Sequence, residues 1–292
     1  MINQKVQFGP SGNDENFYNA GNKSSLEAIA YIKNKNCETY EYGFTRGVKK
    51  SQEASNKKLG EECKKQNISL SVHAPYYINF ATTDEQKKQN SIGYILQSYE
   101  QGVQVMGADR IVFHPGSLEK ASREDAFKRT KQALQELANV LNKQRAEQND
   151  TSTFHLCVET MGKHGQVGTV DEVLELCQVD KMFMPCLDFG HINSYTLGGL
   201  KTKQDFLEIL NKVKNAFDDE RATNLHIHFS KIKYGDKGEL AHLKFEEQGE
   251  PNPQTFCEAL LESGMNARVV CESKGSQMDD AETLFKLFNQ KQ

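Results

Sequence analysis

The chain has 292 residues, 37% of them hydrophobic and 26% charged, with a formal net charge of −4. That balance excludes a wholly basic nucleic-acid coat protein. The absence of any run of about eighteen apolar residues excludes a membrane-spanning helix. The seven cysteines are odd in number and include no CxxC pair. Together with an opening MINQKVQFGP that lacks the apolar core of a signal peptide, they lead us to expect reduced thiols and a cytoplasmic location.

Eight short, β-rich apolar runs follow one another: KVQFG (5–9), TYEYGF (39–44), SLSVHAPY (69–76), RIVFHPG (110–116), FHLCVETM (154–161), FMPCLDFGH (183–191), NLHIHFS (224–230) and RVVCESKG (268–275). Longer segments with helical spacing separate them. The clearest are 24–36, then 122–148 with an acidic first turn, and 253–264 with proline at its start and glycine past its end. Strands alternating with helices give parallel βαβ units. Eight such units in a chain of this length predict an α/β fold, a single (β/α)8 TIM barrel over 1–292. The stretch FGPSGND lacks the full dinucleotide-binding spacing.

In such a barrel the active site forms at the C-terminal ends of the strands. The third strand ends in His73, the fourth in His114, the fifth in Glu159, the sixth in Asp188 and His191, and the eighth in Glu272. The seventh carries His226 and His228, and the loop after it adds Glu239 and His242. A lone histidine at a strand end is more often a hydrogen-bonded core residue than a ligand. Six successive strands ending this way argue otherwise, and so many clustered carboxylates would repel one another unless cations neutralised them. Imidazoles and carboxylates without cysteine suit Zn²⁺, with Mn²⁺ or Fe²⁺ as alternatives, and nine such ligands suit two or three ions. His155, at the start of its strand, is expected to be structural, and His164 to be a solvated loop residue, with a substrate contact as the alternative. His228 shares a face with His226 and reads as a residue behind the ligands or a substrate contact.

In order, VHAPYYIN, FHPGS, VET, LDFGH, LHIHFSK, ELAH and CES resemble the motifs of the endonuclease IV family. These are metal-dependent apurinic/apyrimidinic endonucleases of the xylose-isomerase-like barrel superfamily. The resemblance covers nearly the whole chain. It implies three zinc ions: one held by His73 and His114, a second by Asp188, His226 and Glu272, with Glu159 bridging the two, and a third by His191, Glu239 and His242. Glu159 would also be the catalytic residue, orienting the attacking water. Tyr76 matches the family's DNA-contacting tyrosine, and Asn79 follows at the family spacing. Two departures stand out: Glu239-Leu-Ala-His242 replaces the usual Asp-x-His, and GFTRGVKKS replaces an Asn/Gln-rich loop after the second strand.

A rim of Arg46, Lys49, Lys50, Lys163, Lys231, Lys233, Lys237 and Lys274 would face a phosphate backbone, with Arg46 and Lys231 as contacts. The expected partner is double-stranded DNA with abasic lesions, bound by a monomer that needs no membrane. The competing expectation is a single-metal sugar isomerase or epimerase on the same barrel, which would need Glu159, Asp188, the seventh-strand histidine and Glu272 but not the surplus ligands.

Overall fold

The β-branched and aromatic residues of the eight runs favour extended chain, and in the computed structural model, which describes residues 4–290, each run forms a barrel strand. These are β1 (Val6–Pro10), β2 (Thr39–Gly43), β3 (Ser69–His73), β4 (Arg110–Phe113), β5 (His155–Glu159), β6 (Phe183–Asp188), β7 (Asn224–Phe229) and, after a hairpin, β10 (Asn266–Cys271). All pairings are parallel, in the order β1-β10-β7-β6-β5-β4-β3-β2. The end strands meet through Phe8 O, which accepts from Glu38 N at 2.9 Å, and Glu41 O, which accepts from Gly12 N at 2.8 Å. The sheet thus curls into a nearly closed TIM barrel.

The helices lie where sequence places them, for local reasons. Ser122 caps Arg123–Gln148 by accepting from Asp125 N. Pro253 opens Pro253–Ser263, where its missing N–H costs nothing. Alternate strand residues, Phe8, Phe113, Phe183 and Phe229 among them, point outward into a large apolar core under the helices, where Phe256 of the helix Pro253–Ser263 packs on Phe229. Inside the barrel a small separate cluster of Val112, Cys157, Met184 and Cys186 fills the centre. All seven cysteines are unpaired and buried. Among the described residues, no helix is long and apolar enough to cross a membrane.

Two segments depart from the sequence reading. The sixth strand stops at Asp188, and Phe189–Tyr195 is a helix. The loop after β7 is an antiparallel hairpin, β8 (Lys231–Gly235) and β9 (Gly238–Leu243).

Candidate metal centre

Parallel strands end at one rim, so the side chains that close them converge. Glu159, fully buried at the end of β5, lies at the centre. Its Oε2 is 3.2 Å from His73 Nε2 and 3.1 Å from His114 Nε2. Its Oε1 is 3.3 Å from both His228 Nδ1 and His191 Nδ1. At the rim, three sets of donor atoms lie close enough to share an ion: His73, His114 and Glu159; Glu159, Asp188, His228 and Glu272; and His191, Glu239 and His242.

The rings are held from behind. His73 Nδ1 donates to Ala74 O at 2.8 Å, and His191 Nδ1 to Thr160 O at 2.9 Å. A carbonyl can only accept, so each leaves Nε2 free as a ligand. Thr160 acts twice, since its Oγ1 also accepts from Asp188 N at 2.9 Å. His242 Nδ1 pairs with Ser230 Oγ at 2.8 Å, turning Nε2 toward Glu239, 3.8 Å away.

The metal-free charges show the same convergence. Burial alone would hold His73 neutral, but Glu159 outweighs it and raises the imidazole to about 9. Burial works against Glu159 as an anion, yet the surrounding histidines, His114 foremost, keep it well below the carboxylate range. Burial raises Asp188, whose Oδ2 has no hydrogen-bond partner. A buried, unpartnered carboxylate oxygen facing imidazoles and two further carboxylates is what a hard or borderline cation needs, so these residues fit divalent ions.

The seventh strand requires a correction. His228, not His226, joins Asp188 and Glu272. His228 pairs in register with Asp188, whereas His226 pairs with Cys186, two residues deeper in the barrel. His226 is also committed elsewhere: Nε2 lies 3.1 Å from Glu41 Oε2 and Nδ1 3.2 Å from Arg110 Nη1. Burial lowers His226 to about 3, keeping it neutral. Cys186, His226 and His228 also cluster, but the Arg110 guanidinium against His226 opposes a cation there.

Gly190, between Asp188 and His191, is not needed to bend the chain. Asp188 caps the helix Phe189–Tyr195 by accepting from His191 N at 2.7 Å, and the first helical turn itself places His191 beside it. Gly190 permits close packing instead, since a Cβ there would lie 2.9 Å from Ser230 Oγ and 3.1 Å from Asp188 Oδ1.

Glu239 and His242 are three apart on β9, a spacing that puts side chains on opposite faces of a regular strand. The hairpin register slips here: Lys233 pairs with Ala241 and Tyr234 with Glu239. Leu240 is thus an extra residue, a β-bulge, and it is 63% exposed. The bulge absorbs the added residue and returns both ligands to one side. The hairpin docks through Glu239 N, which donates to Gly162 O at 3.0 Å. A side chain at Gly162 would strike Ser194 Oγ at 2.7 Å and Glu239 Cβ at 2.9 Å.

The mouth is a cavity of about 270 Å³ whose lining includes Tyr76, Lys163, Gln166 and His191. Tyr76 is 61% exposed and packs edge-on against Tyr77. Arg46 is exposed on the loop after β2. Two expected substrate contacts are occupied internally. Lys231 Nζ donates to Phe245 O and Glu247 O at 2.6 and 2.8 Å. Asn79 Oδ1 accepts from Ala81 N and Ser117 N, and its amide donates to Glu119, so it organises its loop. His155 pairs with Glu220, and His164 donates to Tyr195 O. The sequence reading missed Glu41, Thr160 and Ser230, none of which has a distinguishing motif.

A nearly closed eight-stranded barrel with converging imidazoles and carboxylates at its C-terminal rim defines a class of α/β-barrel proteins. The family model for the xylose isomerase-like TIM barrel matches residues 29–289, and the chain belongs to that family. It is 33% identical to an uncharacterised protein of Methanocaldococcus jannaschii, over 92% of this chain and 93% of that one. It is 30% identical to a probable endonuclease 4 of Staphylococcus carnosus, over 64% of this chain and 61% of that one. Among solved structures, endonuclease IV from Thermus thermophilus superposes with a TM-score of 0.66 at 18% identity, over 98% of this chain and all of that one. A D-tagatose 3-epimerase-like protein gives 0.69 at 19% identity, over 98% of this chain and 99% of that one. At such identities the structural likeness establishes the fold.

Proposed function

We propose that the protein is a zinc-dependent, endonuclease IV-like phosphodiesterase that incises DNA at abasic sites. One observation carries the reading: Glu159 presents Oε2 to His73 and His114 and Oε1 toward His228, which lies with Asp188 and Glu272. A carboxylate so placed could serve two ions, and His191, Glu239 and His242 form a further set beside it. Zinc ions bound there supply Lewis-acid chemistry, lowering the pKa of water and neutralising phosphoryl charge. The chain's own groups do the rest. Glu159 orients the attacking water, and the carboxylates fix the spacing of the ligand sets. Lys163, exposed at the cavity edge, and Arg46 hold backbone phosphates. Tyr76 offers an exposed aromatic face for stacking. The relatives named probable endonuclease 4 support the assignment.

A single-metal sugar isomerase or epimerase is the second reading, because Glu159, Asp188, His228 and Glu272 form a complete set alone. That reading leaves His73, His114, His191, Glu239 and His242 without a purpose. Elemental analysis of the purified protein separates the two. Two or three ions per chain, mainly zinc, together with incision of an abasic duplex, supports the phosphodiesterase. One ion, unchanged on adding zinc, together with epimerisation of a free ketose, overturns it.

A further inference from the structure

Four mouth histidines, His73, His114, His191 and His242, turn Nε2 toward the site, but His228 does the opposite. Its Nδ1 faces outward, 3.3 Å from Glu159 Oε1 and 3.4 Å from Glu272 Oε1. Its Nε2 points into the barrel, 3.0 Å from Glu41 Oε1. That approach is too bent to count as a hydrogen bond, and without an ion the ring's hydrogen bond is from Nδ1 to Glu159 Oε1, the place an ion would take.

Glu41 lies in the middle of β2 and is fully buried. A carboxylate is costly to bury without partners, and here the partners have a defined direction. Arg110 donates to Leu225 O and Asn224 Oδ1, and its Nη1 faces His226 Nδ1 at 3.2 Å. A guanidinium can only donate, so Nδ1 of His226 accepts and Nε2 carries the proton. That proton goes to Glu41 Oε2 at 3.1 Å, and Ser71 Oγ donates to the same oxygen at 2.8 Å. Oε2 is thereby occupied, and Oε1 is left for His228.

We propose that Glu41 is a positioning residue for the second ion: held by Arg110, His226 and Ser71, it keeps the His228 proton on Nε2 and so presents Nδ1 to the metal. A carboxylate behind a ligating histidine fixes the tautomer and ring orientation, and removing it typically weakens metal affinity by about 10–100-fold. The inference rests on the metal-centre reading above.

The test uses full-length protein, stripped with chelator and reloaded with zinc. Two-bond ¹H–¹⁵N spectra of histidine-labelled, zinc-loaded protein should place the His228 proton on Nε2. In Glu41→Gln, stepwise competition with a chelator should show the ion at Glu159, Asp188, His228 and Glu272 bound about 10–100-fold more weakly. The ion at His191, Glu239 and His242 should be held as in the wild type. A merely structural defect would weaken every ion alike. A His228 proton on Nδ1, or unchanged second-ion affinity in Glu41→Gln, overturns the proposal and leaves the metal centre intact. Wild-type protein that takes up no zinc overturns the metal centre and this proposal with it.

Discussion

Asp188 Oδ1 accepts from the backbone N–H of His191 at 2.7 Å, while Oδ2 of the same carboxylate is buried without a hydrogen-bond partner. One oxygen builds the helix that presents His191, and the other is left for an ion. Capping and ligation are thus coupled: whatever displaces Asp188 also moves His191.

His191 itself belongs to a different set, with Glu239 and His242. His191→Ala should therefore cost the third ion and slow incision while the ions sharing Glu159 remain. Leaving Thr160 O without its donor should also cost about 1–3 kcal/mol of stability. Elemental analysis beside thermal unfolding checks both. Loss of every ion in this variant would contradict separate sets.

Glu159→Gln preserves shape and removes the shared charge. Activity should fall by about a hundredfold or more, since several kcal/mol of metal-linked stabilisation is at stake. Circular dichroism should still report a folded barrel, because one residue at the mouth does not hold eight strands together. Near-normal turnover would remove Glu159 from its assigned role.

The bulge gives a prediction by deletion. Removing Leu240 turns Glu-x-x-His into Glu-x-His and returns the strand to period two, so both ligands still share a face. The third ion should stay within about tenfold of its wild-type affinity. Inserting an alanine after Leu240 in the intact chain should abolish it. If the deletion loses the ion and the insertion keeps it, the bulge account is wrong.

The raised pKa of His73, about 9, has opposite consequences with and without metal. In chelated protein its proton stabilises the fold fully below the unfolded value of about 6.5, and that contribution is lost as pH rises through about 9. Zinc must displace the proton, so binding at pH 7 should release protons and tighten toward pH 9. Calorimetric titration in two buffers of different ionisation enthalpy measures this. A proton count of zero would contradict it.

Much of this site was legible in sequence because parallel strands end at one rim, so ligand-type residues after each apolar run had to meet. Three features were hidden for identifiable reasons. His226 and His228 share a face, and period-two reasoning cannot tell which sits at the rim; that depends on where β7 ends relative to β6. Glu41 reads as the polar member of an ordinary alternation in TYEYG, yet the barrel wall encloses it. The role of Gly190 depends on Ser230, forty residues away, which no local pattern reveals.

The most direct test is incision of a duplex carrying one synthetic abasic residue by the zinc-loaded protein. The account predicts cleavage at the lesion that is abolished by chelation and restored by zinc, with undamaged duplex left intact. Zinc-loaded protein with its ion sets filled that leaves the abasic strand uncut would contradict it.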